Sequence, residues 1–223
     1  RFRLGGVTDV ELTGERSGLV PTRAWKEAVY GEPWQGGETL ITGIGQGFML
    51  TTPIQLAVMA ARIGNGVFKV MPRLARLDGA PDVPDFAPLD VAPELLDIVR
   101  EGMNQVVNNP DGGTAYRARI EDEGMAMAGK TGTAQVRRIT MAQREAGDDD
   151  VEVPWNERDH ALFVAYAPVE APRYACAVVV DHGGGGSAVA APIARDVMRE
   201  AQRRESVRWP GNEETPGDPE QVV

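Results

Sequence analysis

Lys130, Thr131, Gly132 and Thr133 stand in succession, placing an ammonium group, two hydroxyls and a residue without a side chain on four adjacent positions. K-T-G is one of three short elements that act together in serine acyl transfer; the others are S-x-x-K and S-x-N. Ser17 is followed by Gly-Leu-Val, Ser187 by Ala-Val-Ala and Ser206 by Val-Arg-Trp, so neither other element occurs. The expectation is one wall of an active site, with no catalytic residue in this chain and the nucleophile and its lysine lying upstream.

Three further patterns invite other chemistry. Gly124 to Thr131 matches G-x-x-x-x-G-K-[ST], and Ala175 to Asp181 resembles an apolar strand ending in a magnesium ligand. The alternative function is therefore a P-loop nucleotide hydrolase. Such a loop must open a helix whose N-terminus faces the phosphates. Here Glu121-Asp122-Glu123 precedes it, which repels phosphate, and Gly132 follows at a position where a helix should begin. Gly43-Ile-Gly-Gln-Gly47 suggests a dinucleotide loop, but Phe48 stands where that pattern needs glycine. A turn before a helix explains it better. His182 with Ser187 suggests a hydrolase pair, yet Ser187 leads into a helical run and reads as its N-cap. No metal-ligand spacing is seen; Asp148-Asp149-Asp150 offers at most weak cation binding.

The elements that position K-T-G follow from periodicity. Residues 1–50 are rich in glycine and turn signals. Thr52-Pro53 opens a helix carrying Ile54, Ala57, Val58 and Ala61, which Gly64-Asn65-Gly66 stops. Residues 67–77 read as a strand pair or extended segment. Ala92-Pro93 opens a second helix with Leu95, Leu96, Val99, Met103 and Val106-Val107 on one side, and residues 112–119 suggest a short third. The period then changes. Residues 126–138, 161–167 and 173–180 read as strands, the last two joined by a hairpin-like Pro168 to Pro172, and residues 188–202 read as a final helix. Helices followed by hairpin-linked strands give an α+β class, an antiparallel sheet with helices packed on it. The domain expectation is a single unit over 1–206 with an acidic loop at 141–159, then a disordered tail at 207–223.

Charge sharpens this division. Of the net −10, the stretch Arg144 to Asp159 carries −5 and the tail from Val207 carries −3, so the remainder is close to neutral. An acidic chain without a basic face argues against nucleic acid as a partner. The 42% hydrophobic content supports a folded core. No run of 18 apolar residues suggests a membrane span. The chain starts with Arg and looks cut at its N-terminus. Cys176, a lone cysteine in a strand, reads as a small buried residue.

Taken together, Gly43-Ile-Gly-Gln-Gly47, Thr52-Pro-Ile-Gln55, Asn65-Gly66 and Gly129-Lys-Thr-Gly-Thr-Ala-Gln135 resemble the transpeptidase domain of penicillin-binding proteins. Glu15-Arg-Ser-Gly18, Pro21-Thr22, Trp25-Lys26, Trp34, His160 to Pro168 and His182 to Ser187 resemble its monofunctional, elongation-specific class B members, the penicillin-binding protein 2 group. The resemblance spans roughly residues 10–205 and implies the penicillin-binding/serine β-lactamase-like fold with its N-terminal part missing. It implies a peptidoglycan D,D-transpeptidase acting on D-Ala-D-Ala stem peptides, a target of β-lactams, needing no cofactor. It places Lys130 beside the substrate carboxylate, Thr131 as a hydroxyl donor to it, Gly132 where the substrate backbone approaches, and the Thr133 N–H as an oxyanion donor. It further implies the upstream part of the same protein and a SEDS-family glycosyltransferase as partners, at the periplasmic face of the inner membrane. Without its upstream part the chain is expected to be inactive and to aggregate; a non-catalytic binding module is the remaining alternative.

Overall fold

The computed structural model of the chain describes residues 1–75, 86–136 and 153–205. Three strands form one antiparallel sheet in the order β1-β2-β3: β1 is Ala128–Ala134, β2 His160–Ala167 and β3 Tyr174–Val180. In register, Lys130 lies opposite Val164, Thr131 opposite Phe163, Gly132 opposite Leu162 and Thr133 opposite Ala161. Residues 137–152 and 206–223, which include most of the expected acidic loop and the whole expected tail, lie outside the described residues.

Alternation along β2 divides the core. Ala161, Phe163, Ala165 and Ala167 pack with Ala190, Ala191, Ala194 and Met198 on one face, while Val164 and Tyr166 pack with Ala60, Ile63 and Met103 on the other. The first group meets the final helix, α5 (Ala191–Glu205). The second meets α3 (Pro53–Asn65) and α4 (Pro93–Asn108). With helices on both faces, β2 is buried almost throughout, and Phe163 is fully inaccessible. Full burial of such a ring contributes about 1.5–3 kcal/mol.

The helix α3 begins and ends as its sequence dictates. Thr52 and Gln55 form a reciprocal capping box, Pro53 occupies the first turn, and Gly66 closes the helix at φ 70°. Gln55 is fully buried and ties the N-terminal segment to this helix: its Nε2 donates to the Gly6 carbonyl at 2.8 Å and the Ser17 carbonyl at 2.7 Å. Arg100 of α4 donates to the Ile63 and Gly64 carbonyls at 2.8 and 2.6 Å, satisfying the C-terminal end of α3.

Several details differ from the sequence reading. Two short helices, α1 (Arg23–Tyr30) and α2 (Gly36–Gly43), occupy the turn-rich first fifty residues. The first is capped by Thr22, whose hydroxyl accepts from the Trp25 N–H at 3.1 Å. The second starts on two glycines and is held by a Gln35/Glu38 capping box. On α4, Leu96, Met103 and Val107 are buried but Leu95 and Val99 are exposed. The segment expected to be a strand pair or extended at 67–77 bridges at Phe68 to Pro88, with the Lys69 N–H donating to the Ala87 carbonyl at 2.8 Å, as that reading has it, while residues 76–77 lie outside the described residues. The short helix expected at 112–119 is a single 3₁₀ turn, Tyr116–Ala118. Ser187 is not an N-cap: it lies inside a π-helical turn, Gly186–Ala190, that precedes α5 and makes no side-chain cap bond.

Candidate active site

The K-T-G residues lie on β1, which pairs with β2 along one side only among the described residues. Its start is pinned from α4: Asn108 Nδ2 donates to the Met127 carbonyl at 3.0 Å and to Asn104 Oδ1 at 2.7 Å. Gly129 is required there, because a Cβ would stand 2.5 Å from Phe163 Cζ. The local conformation is strand, with no helix after Thr131, so Gly124–Thr131 has no helix N-terminus to offer a phosphate and the P-loop reading fails.

Strand alternation separates the chemistry. Lys130 shares the α3–α4 face with Ala128, whereas Thr131 and Thr133 point to the α5 face. Lys130 and Thr133 are exposed, Thr131 and Gly132 half-buried. Lys130 Nζ curls over the edge to donate to the Thr131 carbonyl at 2.7 Å and lies 3.4 Å from Thr131 Oγ1. The Thr131 hydroxyl is 3.5 Å from the hydroxyl of Thr114, which precedes the 3₁₀ turn. On Thr133, the carbonyl accepts from Gln46 Nε2 at 2.9 Å. The Thr131 and Thr133 carbonyls belong to alternate residues and are both taken by side chains, so both face the strand edge turned away from β2. Such an edge can pair with an extended backbone while holding an anion between an ammonium and a hydroxyl.

Support comes from beneath. A Cβ at Gly186 would overlap the carbonyl oxygens of Gly132 and Leu162, so the π-helical turn rests directly on β1 and β2. The loop before it is fixed at the strand ends. The His182 N–H donates to His160 Nδ1 at 2.9 Å, and His182 Nδ1–H donates to the Arg158 carbonyl at 2.9 Å. The Gly184 N–H donates to the Asp159 carbonyl at 2.8 Å, and Asp159 Oδ1 accepts from the Val136 N–H at 3.2 Å. His160 and His182 thus act on the loop's backbone; their ring centroids lie 4.8 Å apart with the planes tilted by 53°.

All four sequence-predicted site residues fall on one edge; Gln46, Thr114 and Gly186 join them without a sequence signal that names their contacts. Among the described residues, no group of three or more His, Cys, Asp or Glu side chains is placed to hold a metal. Cys176 is half-buried in β3, and burial pushes its thiol up to about 11.

Comparison with known proteins identifies the family and the fold. The penicillin-binding protein transpeptidase domain model matches residues 1–199. The peptidoglycan D,D-transpeptidase MrdA of Haemophilus influenzae is 34% identical over 204 residues, covering 88% of this chain and 31% of that protein. Pseudomonas aeruginosa PBP2, solved in complex with WCK 5153, superposes with a TM-score of 0.71 at 40% identity, over 90% of this chain and 41% of that one. Helicobacter pylori PBP2, solved as a complex with MreC, gives a TM-score of 0.75 at 31% identity, over 92% of this chain and 35% of that one. The chain thus spans about a third of the length of the curated relatives it matches. Its antiparallel sheet and packed helices are those of the penicillin-binding transpeptidase fold, and the chain belongs to the penicillin-binding protein transpeptidase domain family.

Proposed function

We propose that this chain forms part of a peptidoglycan D,D-transpeptidase and supplies the K-T-G wall of its site. In that reaction a serine Oγ from the upstream part attacks the penultimate D-alanine carbonyl of a stem peptide. An ester forms, the D-Ala–D-Ala amide breaks, and the leaving amine of the terminal D-alanine takes a proton. An amine of a neighbouring stem peptide then attacks the ester, forming the cross-link and restoring the serine. No cofactor enters these steps.

Lys130 places its ammonium beside the substrate's terminal carboxylate and assists the proton's path to the leaving group. The Thr131 hydroxyl donates to the same carboxylate, and the Thr133 hydroxyl is within the same reach. Gly132 admits the substrate backbone, and the Thr133 N–H donates to the oxyanion of the tetrahedral intermediate. The observation that carries this reading is that all four residues lie on a sheet edge whose alternate carbonyls are taken by side chains and not by a strand. A scaffold of the MreC kind, a SEDS-family glycosyltransferase and the upstream part of the same protein are its proposed macromolecular partners. The proposed location is the periplasmic face of the inner membrane. No described helix is long and apolar enough to cross a membrane.

Labelling with a fluorescent penicillin tests the reading. The full-length protein should label covalently, and Lys130→Ala should label at least ~100-fold more slowly, the scale of losing one group that stabilises the transition state. An unlabelled full-length protein would sink the proposal. Normal labelling of Lys130→Ala would remove Lys130 from it, and labelling of the 223-residue chain alone would show that the nucleophile is not upstream.

A further inference from the structure

Gln46 stands 87 positions before Thr133 in sequence, yet its carboxamide occupies the Thr133 carbonyl at 2.9 Å. It is presented by a built turn. Gly45 and Gly47 on either side both adopt φ 75°, which a side chain would strain. The Gln46 N–H donates to the Ile41 carbonyl at 3.0 Å. A Cβ on Gly47 would stand 2.9 Å from Ile41 Cγ2, and Phe48 is locked against Trp25 and Tyr30 at ring distances of 5.3 and 5.2 Å. Lys130, by contrast, is an exposed, flexible side chain bonded to the next residue's carbonyl and can swing away at little cost.

The N–H and C=O of one strand residue face the same edge, and a residue opposite it exchanges both bonds with it. If the Thr133 N–H receives the oxygen of the scissile carbonyl, as proposed above, the N–H of that same acyl residue is directed at the Thr133 carbonyl. Gln46 Nε2 already holds that acceptor.

We propose that Gln46 is a specificity-determining residue: its carboxamide competes with the acylamino N–H of an incoming acyl donor for the Thr133 carbonyl. Donors with that N–H must displace it; donors without one have no use for the acceptor and are indifferent to it. Gln46 therefore narrows the preference of the site for acylamino ligands. This rests on the transpeptidase reading, and the test separates the two.

In the full-length protein, acylation rates are measured for Gln46→Ala and Gln46→Glu with two β-lactams, a penicillin bearing an acylamino side chain and a carbapenem lacking one. A carboxylate in place of the carboxamide keeps the shape of the side chain but has no N–H to donate to Thr133. Both variants should be acylated about two- to tenfold faster by the penicillin, the range of one net hydrogen bond, with the carbapenem rate within about twofold of the parent. The penicillin-to-carbapenem ratio is the readout, because loosening of the site would move both rates together. A rise or fall shared by the two ligands, an unchanged ratio, or a fall specific to the penicillin would overturn the role of Gln46. Failure of the parent to react with either β-lactam would instead overturn the transpeptidase reading. Should Gln46→Ala not fold, the near-isosteric Gln46→Glu carries the test.

Discussion

Gly186 sits directly beneath Gly132, with no room for even one carbon between them: a Cβ on Gly186 would run into the Gly132 carbonyl oxygen and stand 3.1 Å from the Gly132 nitrogen. The π-helical turn can support the K-T-G strand only because Gly186 lacks a side chain. Gly186→Ala in the full-length protein should push β1 outward, slow penicillin acylation by at least ~10-fold and lower stability by roughly 1–3 kcal/mol, the usual scale of overpacking. Acylation kinetics and thermal melting check both effects, and a variant with parental values would show that the turn is not a support.

Thr131 has two hydroxyl-range neighbours, Lys130 Nζ at 3.4 Å and Thr114 Oγ1 at 3.5 Å, neither a short bond. Its hydroxyl is therefore available to a ligand. Thr131→Val keeps the shape and β-branching of the strand and removes the donor. Acylation by ligands carrying the carboxylate should fall about 10- to 100-fold, the range for a hydrogen bond to a charged group. Decarboxylated analogues should lose much less. Equal losses for both would count against carboxylate recognition.

At the other end of the α5 face, Asp122 lies between Arg203 and Arg199 of α5 at 2.7 and 2.9 Å. The hydrogen bond from Arg203, with the charges of both arginines, holds its carboxyl below the usual aspartate range. A depressed folded value means that the stabilisation is fully present above the unfolded value of about 3.9 and is lost as pH falls through the folded one. Asp122→Asn should thus flatten the acid limb of the stability curve below about pH 4 while leaving its shape above about pH 5 unchanged. Melting temperatures of parent and variant across that window check the sign. A variant with an unaltered acid limb would show that the pairing contributes nothing.

Cys176 should be nearly inert. With its thiol pushed up to about 11 by burial, the thiolate at about pH 8 is on the order of 100-fold scarcer than for an unperturbed cysteine. Alkylation followed by mass spectrometry should find this position modified that much more slowly than a cysteine in a peptide. Rapid modification in the folded protein would contradict the shielding of this thiol.

Much of this arrangement is legible along the chain. The K-T-G strand and its two partners announce themselves by period and hairpin, and α3 by Thr52, Pro53 and Gly66, because caps and breakers act within a few residues. The helix α2 escapes a local reading because it begins on Gly36-Gly37, poor helix formers whose helical state is set by the Gln35/Glu38 box. Leu95 and Val99 fit a core stripe but stand exposed, because a helix of apolar residues gives its pattern without saying which part of the stripe finds a partner. The Gln46–Thr133 bond and the Gly186–Gly132 contact join positions 87 and 54 apart. No local pattern encodes such pairs; the fold brings them together.

In the layer between β2 and the segment from the π-helical turn into α5, Ala161, Ala165 and Ala167 face Ala190, Ala191 and Ala194, all fully inaccessible, with Phe163 and Met198 beside them. Alanine has no rotamers, so the alanine part of this interface cannot absorb a displacement by turning a side chain. It behaves mechanically as a stiff coupling: a shift of α5 passes undamped to β2, to the turn at Gly186 and so to the strand that bears Lys130. Substitutions that enlarge these alanines therefore have little latitude, whereas the exposed edge and the turns that meet it can change with less cost to the packing.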